Sequence, residues 1–258
     1  ENYKFKELIY LMINKRKLIL RLDGRRFNFF SGTKIKRYGK KNIYQFFKSI
    51  YCETKVIFAY LISHRVIYQS IFTRKQWILL EKLLKKNYTI ILNPSPLTFE
   101  KKYSTNINND LLKKRLENKY IVISKGYLQD SIFLENLYEV CCASKIRIFL
   151  FSNFDSKQEK KYPLIEFFGF VEYKEYIRYL NNSFAFVSIE DYCCCPNSLI
   201  EAQNLGIPII GPNNGSLPEM CPFPRTQLID DGNNQKKELY TIIKSFSDHY
   251  EYWANSSL

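Results

Sequence analysis

The sequence predicts an α/β protein in which parallel strands are connected by helices. Short runs of β-branched and aromatic residues alternate with longer stretches in which apolar residues recur at helical spacing. Pro94, Pro96 and the polar tract 100–110 interrupt this alternation near the middle of the chain. Because 258 residues, 46% of them hydrophobic, can form one large or two small domains, we expect two α/β domains joined by a linker.

The expected boundaries follow this interruption. The sequence predicts a first domain at residues 1–95, a linker at 96–118, a second domain at 119–240 and a closing helix at 241–258. In the first domain, β-rich runs predict strands at residues 17–24, 65–70 and 88–93.

Residues 73–86 are the clearest predicted helix of the first domain. The apolar side chains of this helix fall on one face, opposite Lys and Arg, and they are Trp77, Leu80, Leu83 and Leu84. We expect this face to pack in the core rather than to bind a partner.

The second domain repeats the alternation. Strands are predicted at residues 120–124, 146–151, 165–170, 184–189 and 207–212. Helices are predicted at about residues 129–143, 173–181 and 198–205. This order predicts a Rossmann-like layer of five strands.

Positive charge is concentrated in the first half of the chain. The net charge is +14, with 27 Lys/Arg against 8 Asp/Glu in residues 1–119 and 12 against 17 in residues 120–258. A basic half favours an anionic partner, such as a phosphorylated substrate, a bilayer surface or a nucleic acid. A bias of the whole sequence toward Lys, Asn, Ile and Tyr is the alternative explanation.

Seven cysteines are present, three of them adjacent at residues 193–195, but they form no CxxC pair and no zinc-type Cys/His spacing. Neighbouring side chains diverge on a strand or helix, so the adjacent cysteines are not expected to bind a metal. An odd cysteine count is typical of a reducing compartment. No apolar run approaches the ~20 residues that a bilayer requires. We therefore expect a cytoplasmic protein. The basic half of the chain suggests, as an alternative, that the protein contacts the inner face of the membrane peripherally.

The residues after strand 184–189 predict the start of a helix. Ser198 and Glu201 have the spacing of a capping box, and Gly206 and Pro208 end the helix. A helix that starts at the carboxyl edge of a parallel sheet favours phosphate binding through its free amides and its dipole. An ordinary strand–loop–helix unit is the alternative.

A family resemblance extends this prediction. Residues 167–220 contain, in order, the elements Gly169-Phe-Val171, Ser188, Pro196-Asn-Ser198, Glu201-Ala202, Gly206-Ile-Pro208 and Pro218-Glu219. This order resembles the nucleotide-sugar-binding half of family 4 glycosyltransferases of GT-B architecture. Residues 21–27, 65–77 and 89–96 look like parts of the acceptor domain of that family.

The resemblance implies a GT-B fold, in which two Rossmann-like domains with parallel sheets face each other across a cleft. The first domain would be incomplete here, because strands and a Gly-rich loop expected before residue 17 are absent. The chain would then be a fragment or a naturally shortened protein.

The same resemblance assigns roles to residues of the second domain. Glu201 would bind the ribose hydroxyls, and the amides of Asn197, Ser198 and Leu199 would bind the diphosphate. Lys125, followed by Gly126, stands where the family has a phosphate-binding Arg, and Val171 belongs to the Gly-Phe-Val element at the donor site.

Three residues are candidates for catalysis. The family has a second carboxylate eight residues before Glu201, where this chain has Cys193. Glu190 and Asp191 are the nearest carboxylates, and the cysteines are expected to fill a loop. Asp23 is a candidate for acceptor activation, with a turn-forming Asp-Gly as the alternative.

The resulting prediction is a glycosyltransferase. It would transfer a sugar from a nucleotide-diphosphate sugar to a glycan or lipid-linked acceptor, with retention, without a metal and without a cofactor. The alternative is a non-catalytic GT-B-like binding or scaffolding protein with a degenerate donor site. Nucleic-acid binding is not favoured, because the aromatic residues of the basic half form no recognisable RNA-binding motif.

Overall fold

A computed structural model describes residues 5–14, 17–22, 43–93, 109–127, 131–154, 156–190, 192–221, 227–230 and 232–256. The chain divides into two compact units, Glu1–Leu92 and Asn93–Leu258, and each contains a parallel β-sheet. The α/β class with parallel strands, predicted from the alternating pattern, is confirmed.

The described part of the first unit contains three parallel strands in the order β1-β2-β3. These strands are β1 (Ile19–Leu22), β2 (Arg65–Tyr68) and β3 (Asn87–Ile90). They lie within or next to the predicted runs, so all three strand predictions are confirmed. The helices described in this unit are α1 (Phe5–Ile13), α2 (Ile43–Ile62) and α3 (Ile71–Leu84).

The prediction for the buried face of α3 was wrong in part. Trp77 is buried and stacks on Tyr60, with ring centroids 5.3 Å apart, but Leu83 is 69% exposed. Leu80 is partly buried and packs against the same core, and the remaining buried residues of the helix are the polar Thr73, Gln76 and Glu81.

Hydrogen bonds explain this orientation of α3. The Ser70 hydroxyl accepts a bond from the Thr73 amide at 3.0 Å, and Arg74 pairs with Glu81 at 2.8 Å. A buried polar group is tolerated when it has such partners. Apolar periodicity therefore placed Trp77 and Leu80 correctly but did not reveal the polar part of the buried face.

Six strands are described in the second unit, and their order is β6-β5-β4-β7-β8-β9. They are β4 (Tyr120–Tyr127), β5 (Arg147–Asn153), β6 (Ile165–Phe167), β7 (Ala185–Val187), β8 (Ile209–Pro212) and β9 (Leu228–Ile229). The five predicted strands are all present. The additional strand, β9, has two residues, which is too short for a periodic pattern.

The helices described in the second unit are α4 (Asn109–Asn118), α5 (Ile132–Ala143), α6 (Ser156–Lys161), α7 (Tyr173–Asn181), α8 (Asn197–Asn204), α9 (Leu217–Met220), α10 (Gln235–Asp248) and α11 (Tyr250–Ser256). Alternate residues of the strands face two separate cores. Ile121 and Ile123 pack with α5 and α10, whereas Val122 packs with α7 and α8. The sheet is therefore covered on both faces, as a parallel sheet requires.

Helix α4 lies within the predicted linker 96–118 and was not foreseen. Its Arg115 side chain is fully buried and donates hydrogen bonds to the carbonyls of Asn181, Leu205 and Gly206. Those carbonyls belong to the C-terminal ends of α7 and α8, so α4 is attached to the helices of the second unit. Among the residues that the structure describes, no helix is long and apolar enough to cross a membrane.

Candidate functional site

The second unit contains a cavity of about 410 Å³ at the carboxyl edge of its sheet. It is lined by Ser124, Lys125, Phe151, Gly169, Phe170, Val171, Tyr173, Tyr176, Ser188, Glu190, Pro196, Asn197 and Ser198. After β4, the chain adds β5 and β6 on one side of that strand. It then returns to add β7, β8 and β9 on the other side, so the order of the strands reverses at β4. The cavity thus lies at a topological switch point, where open α/β sheets bind ligands.

Lys125 enters the cavity from a β-bulge. In the pairing of β4 with β5, Ser124 lies opposite Phe151 and Tyr127 opposite Asn153, so Lys125 and Gly126 together face one residue. A bulge redirects side chains and is common beside functional sites. The sequence predicted that the strand ends at residue 124, whereas β4 continues through the bulge to Tyr127.

The start of α8 forms the opposite wall. The capping-box prediction was wrong, because the N-cap residue is Pro196 and no side chain caps the helix. Ser198 is already the second helical residue, where its hydroxyl does not occupy the capping position. The first amides of α8 therefore lack a side-chain cap, and this is the arrangement that suits an anion. Leu199 contributes only its backbone, because its side chain is fully buried in the core.

Asn93 holds the start of α8 in position. Its amide group donates to the Cys195 carbonyl at 3.1 Å and to Asn197 Oδ1 at 2.8 Å. The sequence alone does not predict this role of Asn93, because its partners are about a hundred positions away in the chain. The only local signal was the Asn-Pro pair at residues 93–94.

Glu201 lies one turn into α8, behind the wall of the cavity. The residue is 6% exposed, and the Tyr173 hydroxyl donates to its Oε1 at 3.3 Å. Burial raises the pKa of Glu201 to about 7, and the bond from Tyr173 offsets part of that increase. Because Tyr173 lines the cavity, it connects the buried carboxyl group to the ligand space.

Tyr176 is a second tyrosine of α7 at this wall. Its hydroxyl is buried and makes no hydrogen bond of normal geometry to the residues that the structure describes. Burial, reinforced by the nearby Glu201, raises the pKa of Tyr176, so the phenol is neutral. Ser124, which also lines the cavity, interacts with this phenol and lowers its pKa, but a buried hydroxyl that lacks a hydrogen bond of normal geometry is still available to a ligand. The sequence does not distinguish either tyrosine as a site residue, because their spacing on α7 also fits ordinary core packing.

The cysteine run forms the loop before α8. Cys193 and Cys195 are buried, and burial raises the pKa of the Cys193 thiol to about 12. The Cys193 carbonyl accepts from the Ser216 amide at 2.9 Å, and Gly215 lies so close that a Cβ atom there would be 2.7 Å from the Cys193 backbone. These contacts agree with the expectation that the cysteines fill a loop. In the described part of the chain, no group of three or more His, Cys, Asp or Glu residues could hold a metal.

The predicted site residues fall into three groups. Those that line the cavity are Lys125, Val171, Asn197, Ser198 and Glu190. Those that lie beside or behind it are Gly126 in the bulge, Leu199 in the core and Glu201 next to Tyr173. The candidates Asp23 and Asp191 lie outside the described residues.

Replacing Tyr173 with Phe is expected to raise the pKa of Glu201 further. The hydroxyl of Tyr173 stabilises the ionised carboxylate, and its removal leaves the desolvation by burial unopposed. A carbon-13 NMR titration of the Glu carboxyl resonances measures this change. The control is Tyr240→Phe, which changes an exposed tyrosine of α10. If the titration of Glu201 is unchanged in Tyr173→Phe, the hydrogen bond from Tyr173 does not affect the carboxyl group.

No protein-family model matches the sequence, and no curated protein sequence is similar to it. Solved structures are similar in fold. The HepE protein of Anabaena, crystallised with UDP and glucose, superposes with a TM-score of 0.67 at 14% identity, over 97% of this chain and 67% of HepE. WaaG, a glycosyltransferase involved in lipopolysaccharide biosynthesis, has a TM-score of 0.60 at 12% identity, over 96% of this chain and 74% of WaaG.

The pneumococcal O-GlcNAc transferase GtfA, in complex with UDP and GlcNAc, has a TM-score of 0.59 at 12% identity, over 98% of this chain and 50% of GtfA. The chain therefore spans about two thirds of the length of HepE and half that of GtfA. The architecture is that of the GT-B glycosyltransferases, with two Rossmann-like domains, as the resemblance implied.

Proposed function

We propose that this chain is a glycosyltransferase that uses a nucleotide-diphosphate sugar as donor and a glycan or lipid-linked molecule as acceptor. The observation that carries the proposal is the uncapped start of α8, which faces Lys125 across a cavity at the switch point of the sheet. The fold is shared with HepE, which has been crystallised with UDP and with UDP-glucose. The cavity volume of about 410 Å³ is within the usual range for small-molecule sites.

Each part of the donor has a partner of suitable chemistry. The amides of residues 197–199 and the positive end of the α8 dipole suit a diphosphate, and Lys125 adds a full positive charge. Glu201 suits a ribose, because a carboxylate accepts two hydrogen bonds from a vicinal diol. Tyr173 and Glu190 line the space between these groups, where hydroxyl groups of the sugar would lie.

The proposed reaction proceeds with retention and without a metal. The bond between the anomeric carbon and the diphosphate oxygen breaks, and the acceptor hydroxyl forms a new bond to that carbon on the same face of the sugar. The acceptor proton passes to the departing diphosphate, so no separate base is required. Negative charge that develops on the diphosphate is stabilised by the α8 amides and Lys125. Asp23 and Asp191 remain proposals for acceptor and donor contacts.

Calorimetric titration with UDP and GDP tests donor binding. We expect one of the two to bind at a single site, and Lys125→Met to weaken that binding by about tenfold or more, because a hydrogen bond to a charged group contributes ~1.5–3 kcal/mol. The control is Lys160→Met, which removes an exposed lysine of α6 that does not line the cavity. Binding weaker than about millimolar for every nucleotide would overturn the proposal.

A non-catalytic GT-B-like protein is the second candidate, and Cys193 favours it. The family resemblance expects a carboxylate at this position, whereas Cys193 is 4% exposed and packs against Ser216. Such a protein would bind the nucleotide but would not turn over the sugar. Release of UDP or GDP from the matching nucleotide sugars, measured with and without glycan acceptors and with EDTA, separates the two candidates and tests independence from metals.

A further inference from the structure

The outward face of α3 exposes three large aliphatic side chains to solvent. At 3.6 residues per turn, residues 75, 78, 79, 82 and 83 fall on one side of this helix. Ile78, Leu79 and Leu83 are 39%, 43% and 69% exposed. Lys75 and Lys82 are exposed between them. We call this surface, formed by these five residues, the α3 face.

The orientation of α3 is determined by its buried side. The Ser70 cap, the stacking of Trp77 on Tyr60 and the pairing of Arg74 with Glu81 all hold the same side of the helix inward. Rotating α3 to bury Leu79 and Leu83 would break these contacts and expose Trp77. The exposed aliphatic side chains are therefore a consequence of satisfied packing on the other side.

The charges of the α3 face have a single sign. The only acidic residue of α3 is Glu81, which is buried and paired with Arg74. Neither Lys75 nor Lys82 makes an ion pair with the residues that the structure describes. The exposed side of α10, in contrast, combines lysines with Thr241, Ser247 and Asp248 and has Tyr240 as its large apolar residue. A mixed surface of that kind is ordinary for a helix in water.

We propose that the α3 face is a docking surface for an anionic lipid bilayer. Leu79, Leu83 and Ile78 would enter the boundary between headgroups and acyl chains, as the apolar side of an interfacial helix does. Lys75 and Lys82 would place their aliphatic stems along the same surface and their ammonium groups at the lipid phosphates. Lysines between aliphatic residues, with no carboxylate among them, suit such a surface better than they suit a neutral protein partner. The inference does not depend on the proposed glycosyltransferase activity.

Sedimentation of the full chain with vesicles tests this proposal. We expect binding to phosphatidylcholine vesicles that contain phosphatidylglycerol, weaker binding without phosphatidylglycerol, and release as salt is raised. Lys75→Gln/Lys82→Gln is expected to lower the partition coefficient by on the order of tenfold, and Leu79→Ser/Leu83→Ser to lower it at least as much.

Matched controls exist in the second unit. Lys237→Gln/Lys244→Gln removes two exposed lysines of α10 at the same seven-residue spacing, and Ile132→Ser/Leu164→Ser removes two exposed aliphatic side chains. Both controls are expected to bind vesicles like the unmodified chain. Circular dichroism of each variant tests whether the fold is retained, and nucleotide titration tests whether the cavity is retained. A loss of vesicle binding can therefore be distinguished from a failure of the proposed function.

Four outcomes would overturn the proposal. The first is no binding to anionic vesicles, and the second is equal loss of binding in the α3 variants and the controls. The third is a dimer in light scattering that Leu79→Ser/Leu83→Ser converts to a monomer, because the α3 face would then be covered by a second copy. The fourth is that the unmodified chain binds single-stranded RNA but not vesicles, and that Lys75→Gln/Lys82→Gln loses the RNA binding. The lysines would then bind a different partner.

Discussion

Glu201→Gln is expected to weaken nucleotide binding by roughly tenfold to a hundredfold and, at the same time, to stabilise the fold at pH 8. Both effects have the same origin. The buried carboxyl group loses hydration when it is ionised, and its one protein donor in the described structure is the Tyr173 hydroxyl. An ionised carboxylate in that position is costly for the empty protein, but it is the form that accepts both hydrogen bonds from a ribose diol.

The direction of the stability effect follows from the pKa. The pKa of Glu201 is raised from 4.5 in the unfolded chain to about 7 in the folded one. Below pH 4.5 both states are protonated, so the group does not affect folding. Between pH 4.5 and 7 the unfolded state releases its proton first, and stability falls as pH rises. Above pH 7 the full cost remains, on the order of 1–3 kcal/mol.

Urea unfolding from pH 5 to pH 8 measures this effect. The free energy of unfolding of Glu201→Gln should exceed that of the unmodified chain, and the difference should grow as pH rises. Glu159→Gln, at an exposed glutamate of α6, is the control and should show no such difference. Nucleotide affinity should increase through about pH 7 in the unmodified chain relative to Glu201→Gln. A variant that is less stable and binds nucleotide equally well would make Glu201 an ordinary structural residue.

How much the sequence could predict depended on the range of the interactions. Strands such as 120–124 and 184–189 were predicted because a buried parallel strand is a continuous apolar run. Helix α7 was predicted because its apolar positions follow the helical period. Both features are local, so one stretch of sequence contains the whole signal.

The wrong or missing predictions involve distant partners. The buried polar face of α3 depends on pairs such as Arg74 with Glu81, which look like an ordinary surface pair in the sequence. Asn93 acts on Cys195 and Asn197 across about a hundred positions. The capping box at Ser198 failed for a local reason, because Pro196 takes the N-cap position two residues earlier. A hydrogen bond between distant residues leaves no periodic signal, so such contacts require the folded structure.

Arg115→Met is expected to lower the free energy of unfolding of the second unit by about 3–5 kcal/mol. Arg115 is fully buried, and burial lowers the pKa of its guanidinium group, although the group remains charged. Its donors reach Asn181 O at 2.8 Å, Leu205 O at 2.8 Å and Gly206 O at 2.9 Å. These carbonyls lie at the C-terminal ends of α7 and α8, where helix dipoles favour a cation.

Methionine fills much of the same volume but has no donor, so it leaves these carbonyls buried without partners, each at a cost of ~1–3 kcal/mol. Arg115→Lys should give an intermediate loss, because an ammonium group cannot reproduce the planar fork that reaches both helices. Lys114→Met, at the exposed neighbouring position of α4, should change stability by no more than about 0.5 kcal/mol.

Nucleotide affinity distinguishes the role of Arg115 from that of Glu201. Arg115 contacts the ends of α7 and α8 opposite to the cavity, so Arg115→Met should bind UDP or GDP normally at temperatures where it is still folded. Thermal unfolding and titration at low temperature measure the two properties on one sample. Unchanged stability in Arg115→Met would show that α4 is not held by these bonds. We expect Arg115→Met to lose stability and keep nucleotide affinity, and Glu201→Gln to lose affinity and gain stability. This contrast would distinguish residues that hold the site together from residues that bind the ligand.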